Sequence, residues 1–166
     1  RNTYQTKTTK QTVHLGEKWG KLFDCAWFRF RGTVPQSAAG KSVVLLIDVG
    51  GEGCVFDSRG TPVRGLTSAY EGVRGYLGPV WKRVVQFRHK ARGKEPVDIW
   101  LDAGCNALWA NLRSEQRHLL GVMKEASIAV ANPTLRSLYY DFEVLLDIVN
   151  TIPSDRARHY RIIRAL

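Results

Sequence analysis

The chain has 166 residues, 44% of them hydrophobic, and carries 25 Lys and Arg against 15 Asp and Glu, a formal charge of +10. That size suffices for one proper core with a small appendage and excludes a large two-domain enzyme. The three cysteines, Cys25, Cys54 and Cys105, have no CxxC spacing, which speaks against a disulfide framework or a structural zinc site and for a reducing compartment.

Residues 1–26 read as a polar lead-in, rich at first in Thr, Gln and Lys. From Trp27 the stretch WFRFRGTVP puts Phe28, Phe30 and Val34 on one face and Arg29, Arg31 and Thr33 on the other, a half-buried strand ended by Pro35. The chain is organised around residues 43–67, VVLLIDVGGEGCVFDSRGTPVRGLT. Its β-branched start predicts a strand buried on both faces, and the glycines at 50, 51 and 53 predict a hairpin reversing around Glu52 into Cys54, Val55 and Phe56. Asp57 and Gly60 then predict a second turn, with Pro62 restricted to an edge or turn.

Residues 67–79, with glycines at 72, 75 and 78, read as a loop across one end of the sheets. Val84, Val85 and Phe87 suggest a further strand. In residues 97–103, Val97, Ile99, Leu101 and Ala103 alternate with Asp98, Trp100 and Asp102, and alternation resumes through Val122, Ala126, Ile128 and Val130. Many short strands with no helical period between them favour an antiparallel β-sandwich over a parallel α/β sheet. At Asn132 the period changes. Leu135, Leu138, Tyr139, Phe142, Leu145, Leu146 and Val149 follow helical spacing, with Asn132 as N-cap and Pro133 at the first helical position. Pro153 ends this helix, and Ser154 is placed to cap a second one bearing Arg158, Arg161 and Arg164. The fold class is therefore mainly β, an antiparallel sandwich over 27–131 followed by a C-terminal helical extension over 132–166.

The residues offer little catalytic chemistry. His14, His89, His118 and His159 stand apart, and no HExxH, GxSxG, phosphate loop or dinucleotide fingerprint occurs. Glu52 and Asp57 sit at turns, where structural roles outweigh a glycosidase carboxylate pair. Among the tryptophans at 19, 27, 81, 100 and 109, Trp100 stands in an outward register beside Asp98 and Asp102, and Trp81 lies in a Gly/Pro-flanked loop. Trp100, Trp81 and Glu52 are therefore the candidate carbohydrate-binding residues, on the ground that a flat ring packs on a sugar face. No catalytic or metal-ligating residue is assigned. Basic residues crowd 82–94 and 156–164 without a recognised nucleic-acid motif, no apolar run approaches the ~18 residues of a membrane span, and no signal opens the chain. The expectation is a cytoplasmic protein with no nucleic-acid or membrane partner.

Four ordered blocks carry a resemblance: WFRFRGTVP, then VVLLIDVGGEGCVFDSRGTPVRGLT, then DIWLDAGCNALWA, then SIAVANPTLRSLYYDFEVLLDIV. Together they resemble the N-terminal region of glycoside hydrolase family 38 α-mannosidases of the cytosolic and vacuolar type. The resemblance implies a jelly-roll, galactose-binding-like sandwich ahead of a separate catalytic domain, a retaining α-mannosidase that binds zinc. It implies no cofactor in this chain, since the family's zinc ligands and nucleophile belong to that other domain. The chain would then be an accessory fragment without catalysis of its own. Its partners would be the parent's catalytic domain, a second copy through the C-terminal helices, and carbohydrate. An independent carbohydrate-binding sandwich module is the alternative.

Overall fold

The structure is a computed structural model that describes residues 10–67, 83–106 and 120–166. The chain divides into two compact units, Arg1–Ala129 and Val130–Leu166. The strands are β1 (Cys25–Thr33), β2 (Ser42–Asp48), β3 (Glu52–Phe56), β4 (Pro62–Thr67), β5 (Val84–Arg88), β6 (Pro96–Gly104) and β7 (Glu125–Ala131). They form a four-stranded sheet ordered β1-β6-β3-β4 and a three-stranded sheet ordered β5-β2-β7. The pairings β1–β6, β3–β6, β3–β4 and β2–β5 are all antiparallel.

One cluster of buried side chains joins the two sheets. Val43, Leu45, Ile47 and Val49 come from β2 and its extension, Val85 from β5, and Val55, Leu66, Val97, Ile99, Leu101 and Ala103 from the four-stranded sheet. The alternation read along β6 holds residue by residue, with its odd positions sealed and Leu101 entirely buried. Val44, on the other face of β2, is buried too, so this central strand is covered on both sides at that point, as its unbroken apolar run predicts.

The glycine stretch after β2 does something other than the sequence suggests. Its glycines predict a hairpin, but β2 and β3 lie in different sheets, and residues 49–51 carry the chain from one sheet to the other. The Asp48 carboxylate accepts from the Gly50 N–H at 2.9 Å, Gly50 has φ of +66°, and the Gly50 carbonyl accepts from the Gly121 N–H at 2.8 Å. Gly51 then passes so close to the Gly104 carbonyl that a Cβ there would collide with it. That contact sets β3 beside β6. A glycine turn permits reversal but does not choose the neighbouring strand, and here the long-range fit chooses β6.

The second turn forms as read. Asp57 accepts from the backbone N–H groups of Arg59 and Thr61, both at 2.9 Å, Gly60 has φ of +81°, and Pro62 opens β4, an edge strand. Residues 10–24, read as lead-in, are laced to the sandwich: Lys18 bridges Val122, the Trp19 indole N–H donates to the Val49 carbonyl at 2.7 Å, and Phe23 N–H donates to the Cys105 carbonyl at 2.9 Å. Strand β7 corrects another reading. Its buried neighbour is Met123 rather than Val122, and Ala126 and Val130 are exposed, leaving Ile128 of the predicted inward set against the core. The loop read at 67–79 lies, after Thr67, outside the described residues.

The second unit holds α1 (Pro133–Thr151) and α2 (Ala157–Ala165). The Asn132 side chain accepts from the Leu135 N–H at 3.1 Å and Pro133 occupies the first turn, so the predicted start of α1 is borne out. Ser154 does not cap α2. Arg156 stands at that position, without a capping side-chain bond. Along α1, Leu135, Leu138, Phe142, Leu145 and Val149, with Ile152 just beyond, recur at alternating spacings of three and four, the pattern of a helix built to lie against another element. Yet Leu135 is 61% exposed and Phe142 39%, and Val149 is the buried residue of this helix.

Candidate functional site

The outward face of the four-stranded sheet collects the polar and aromatic side chains that the sandwich core rejects. Because paired residues share a face, the register lays them out in rows: Cys25, Gly104 and Glu52; then Trp27, Asp102 and Cys54; then Arg29, Trp100 and Phe56; then Arg31 and Asp98. Arg29 clasps Asp98 through two hydrogen bonds, at 2.8 and 2.6 Å, and its guanidinium lies 5.2 Å from the Trp100 ring centre. That hydrogen bonding, with the charges of Arg29 and Arg31, holds the Asp98 carboxyl below the usual carboxylate range. Trp27 reaches across β6 to Phe56, ring centres 5.4 Å apart and tilted by 39°.

Of the three sequence-predicted binding residues, Trp100 and Glu52 share this face and Trp81 lies outside the described residues. Trp100 is 36% exposed, with Arg29 already over its ring. Glu52 stands four positions along β3 from Phe56, the neighbour of Trp100, so the two are about 13 Å apart along the strands. Nor do Glu52 and Asp57 meet. They are five residues apart on an extended segment, about 16 Å, and Asp57 is committed to its turn, where hydrogen bonds from Thr61 and Arg59 hold its carboxyl low.

Sequence reading passed over a large exposed residue of this face. Trp27 is 58% exposed. The signal was present, since Trp27 has the same parity as Arg29 and Arg31 and the opposite parity to Phe28 and Phe30. Phe56 was less legible, because its outward placement depends on β3 joining β6. At the end of the face nearest Glu52, the Asn106 carboxamide lies over Gly104, 2.8 Å from where a Cβ would stand. Cys105 beside it is fully buried, and burial together with Asp24 pushes its thiol up.

The basic stretch 82–94 also has an internal use. Glu95, buried to 6% exposure, receives the Arg92 N–H at 2.9 Å and stands 3.7 and 3.6 Å from the guanidinium nitrogens of Arg88 and Arg92. Arg83 pairs with Glu125 at 2.9 Å. Among the described residues, no three His, Cys, Asp or Glu side chains gather as a metal site.

A two-sheet antiparallel unit with its own core and an exposed aromatic face is common to many proteins. The comparison that decides the family is with the model described as alpha-mannosidase, jelly roll domain, which matches residues 1–129. The chain belongs to this family. The matched stretch coincides with the first compact unit, so the alpha-mannosidase jelly roll is the sandwich, and the helical unit lies beyond it. A comparison with curated proteins gives no match.

Proposed function

We propose that this jelly roll is the N-terminal accessory domain of an α-mannosidase of glycoside hydrolase family 38, and that hydrolysis of α-mannosides in oligosaccharides belongs to a separate catalytic domain. The observation that carries the reading is the family match over the whole sandwich. The parent's zinc and its retaining carboxylate chemistry would be supplied by residues elsewhere, since the described residues bring together neither three metal-ligating side chains nor the Glu52 and Asp57 carboxylates. Three free cysteines accord with a cytoplasmic setting, and no helix of the described residues is long and apolar enough to cross a membrane.

The partner of the helical unit, in this reading, is the catalytic domain. Leu135, Leu138 and Phe142 lie along one stripe of α1 and remain exposed, and covering three such side chains is worth roughly 1.5 to 3 kcal/mol each. The test is an aryl α-mannoside assay of the chain, with and without added zinc. No turnover is expected. Turnover that survives repurification and disappears on chelation overturns the accessory reading.

A further inference from the structure

We propose that the outward face of the four-stranded sheet binds a pyranose ring, stacked on Trp27 and held by Asp102, Glu52 and Asn106. The proposal goes beyond the accessory role and is tested without any catalytic domain. It starts from the rows of the sheet. Trp27 and Phe56 form a tilted aromatic pair lying over β6, and the Trp27 indole, 58% exposed, offers ring surface to solvent. Asp102 stands directly opposite Trp27, and Glu52 stands diagonally from Asp102, one row further on. Diagonal neighbours across an antiparallel pair are about 7 to 8 Å apart, a span that one sugar ring with its hydroxyls bridges.

The bonding capacity of these groups is unspent. Neither the Asp102 nor the Glu52 carboxylate makes a hydrogen bond or ion pair among the described residues. This contrasts with the far end of the same face, where Asp98 and Arg29 satisfy each other and Arg29 covers Trp100. Between Asp102 and Glu52 the sheet carries Gly104, so no side chain rises from the middle of the row, and the Asn106 carboxamide lies over that gap with both donor and acceptor capacity.

The chemistry selects the occupant. A pyranose presents an apolar face of C–H groups, which suits an aromatic ring, and a rim of hydroxyls, which suits carboxylates and a carboxamide that remain hydrated until met by donors. A protein partner would need a broad apolar area, of the order of 800 Å² per side. Here Trp27 and Trp100 each have a charged residue directly across from them on the face, Asp102 and Arg29, and burying the unpaired Asp102 charge under a protein would be costly. The strands hold the ring and the carboxylates in fixed register, so little ordering is needed on binding.

The experiment follows the indole N–H signals of the chain by ¹H–¹⁵N correlation during titration with methyl α-mannopyranoside and an α-linked mannobiose, up to tens of millimolar. The Trp27 signal is expected to move saturably, while that of Trp100 shifts less. Trp27→Ala should weaken binding about tenfold, Asp102→Ala about threefold or more, and Trp100→Phe should leave it within about twofold. If Trp27→Ala disturbs folding, Trp27→Tyr serves, expected to bind more weakly than the parent chain but measurably. The proposal is overturned by the absence of a saturable shift, by binding that survives Trp27→Ala, or by a Trp27 signal that moves with protein concentration instead of sugar, the mark of a second copy on this face.

Discussion

The sandwich turns its large aliphatic side chains inward, whereas the helix that follows leaves its own outside. In β6, Val97, Ile99, Leu101 and Ala103 all disappear into a core fed by both sheets. In α1, Leu135, Leu138, Tyr139, Phe142 and Leu146 are exposed. Both segments obey their periods, two for the strand and about three and a half for the helix, so the difference does not arise from patterning. It arises from closure. Two facing sheets supply each other's missing surface within one unit, but one amphipathic helix and a nine-residue companion cannot enclose a stripe of this length. A periodic apolar sequence therefore specifies which face must be covered without saying whether the same unit supplies the cover.

Truncating one leucine in each region separates the two cases by the largest margin. Leu101→Ala removes a fully buried side chain and should cost about 2 to 5 kcal/mol, read as a fall in the denaturant midpoint. Leu138→Ala, at an exposed position, should stay within about 0.5 kcal/mol. Comparable losses in the two variants would mean that the α1 stripe is already packed within the chain.

A smaller effect sharpens the same contrast. Asn132 is the local fastening of α1, through its bond from the Leu135 N–H, so Asn132→Ala should cost about 1 kcal/mol of helix stability. That loss should appear in the helical circular-dichroism signal while the sandwich's unfolding midpoint holds. A drop shared equally by both signals would show the two units melting as one.

What was legible in the sequence was whatever local chemistry decides alone. Alternation in β6, the Asp57 and Gly60 turn, Pro62 on an edge and the Asn132-Pro133 start of α1 all depend on residues within a few positions of one another. The hairpin failed because its glycines encode bending, and the partner of β3 lies more than forty residues away in β6. The reading of β7 failed where Met123, a flexible side chain outside the alternating set, took the inward place. The candidate site was half visible. Glu52 and Trp100 were singled out from turn and parity, yet the juxtaposition of Trp27 with Phe56 exists only once β6 lies between β1 and β3.

The jelly roll completes its own core, whereas α1 leaves most of its apolar stripe exposed. Native-state hydrogen exchange along the intact chain tests this contrast most directly. Amides of β2 and β6 should exchange only through global unfolding, whereas those of α1 should be at least about tenfold less protected in dilute solution, because a largely uncovered helix opens locally. Amides of α1 protected as strongly as those of β6 in dilute monomeric protein would contradict it.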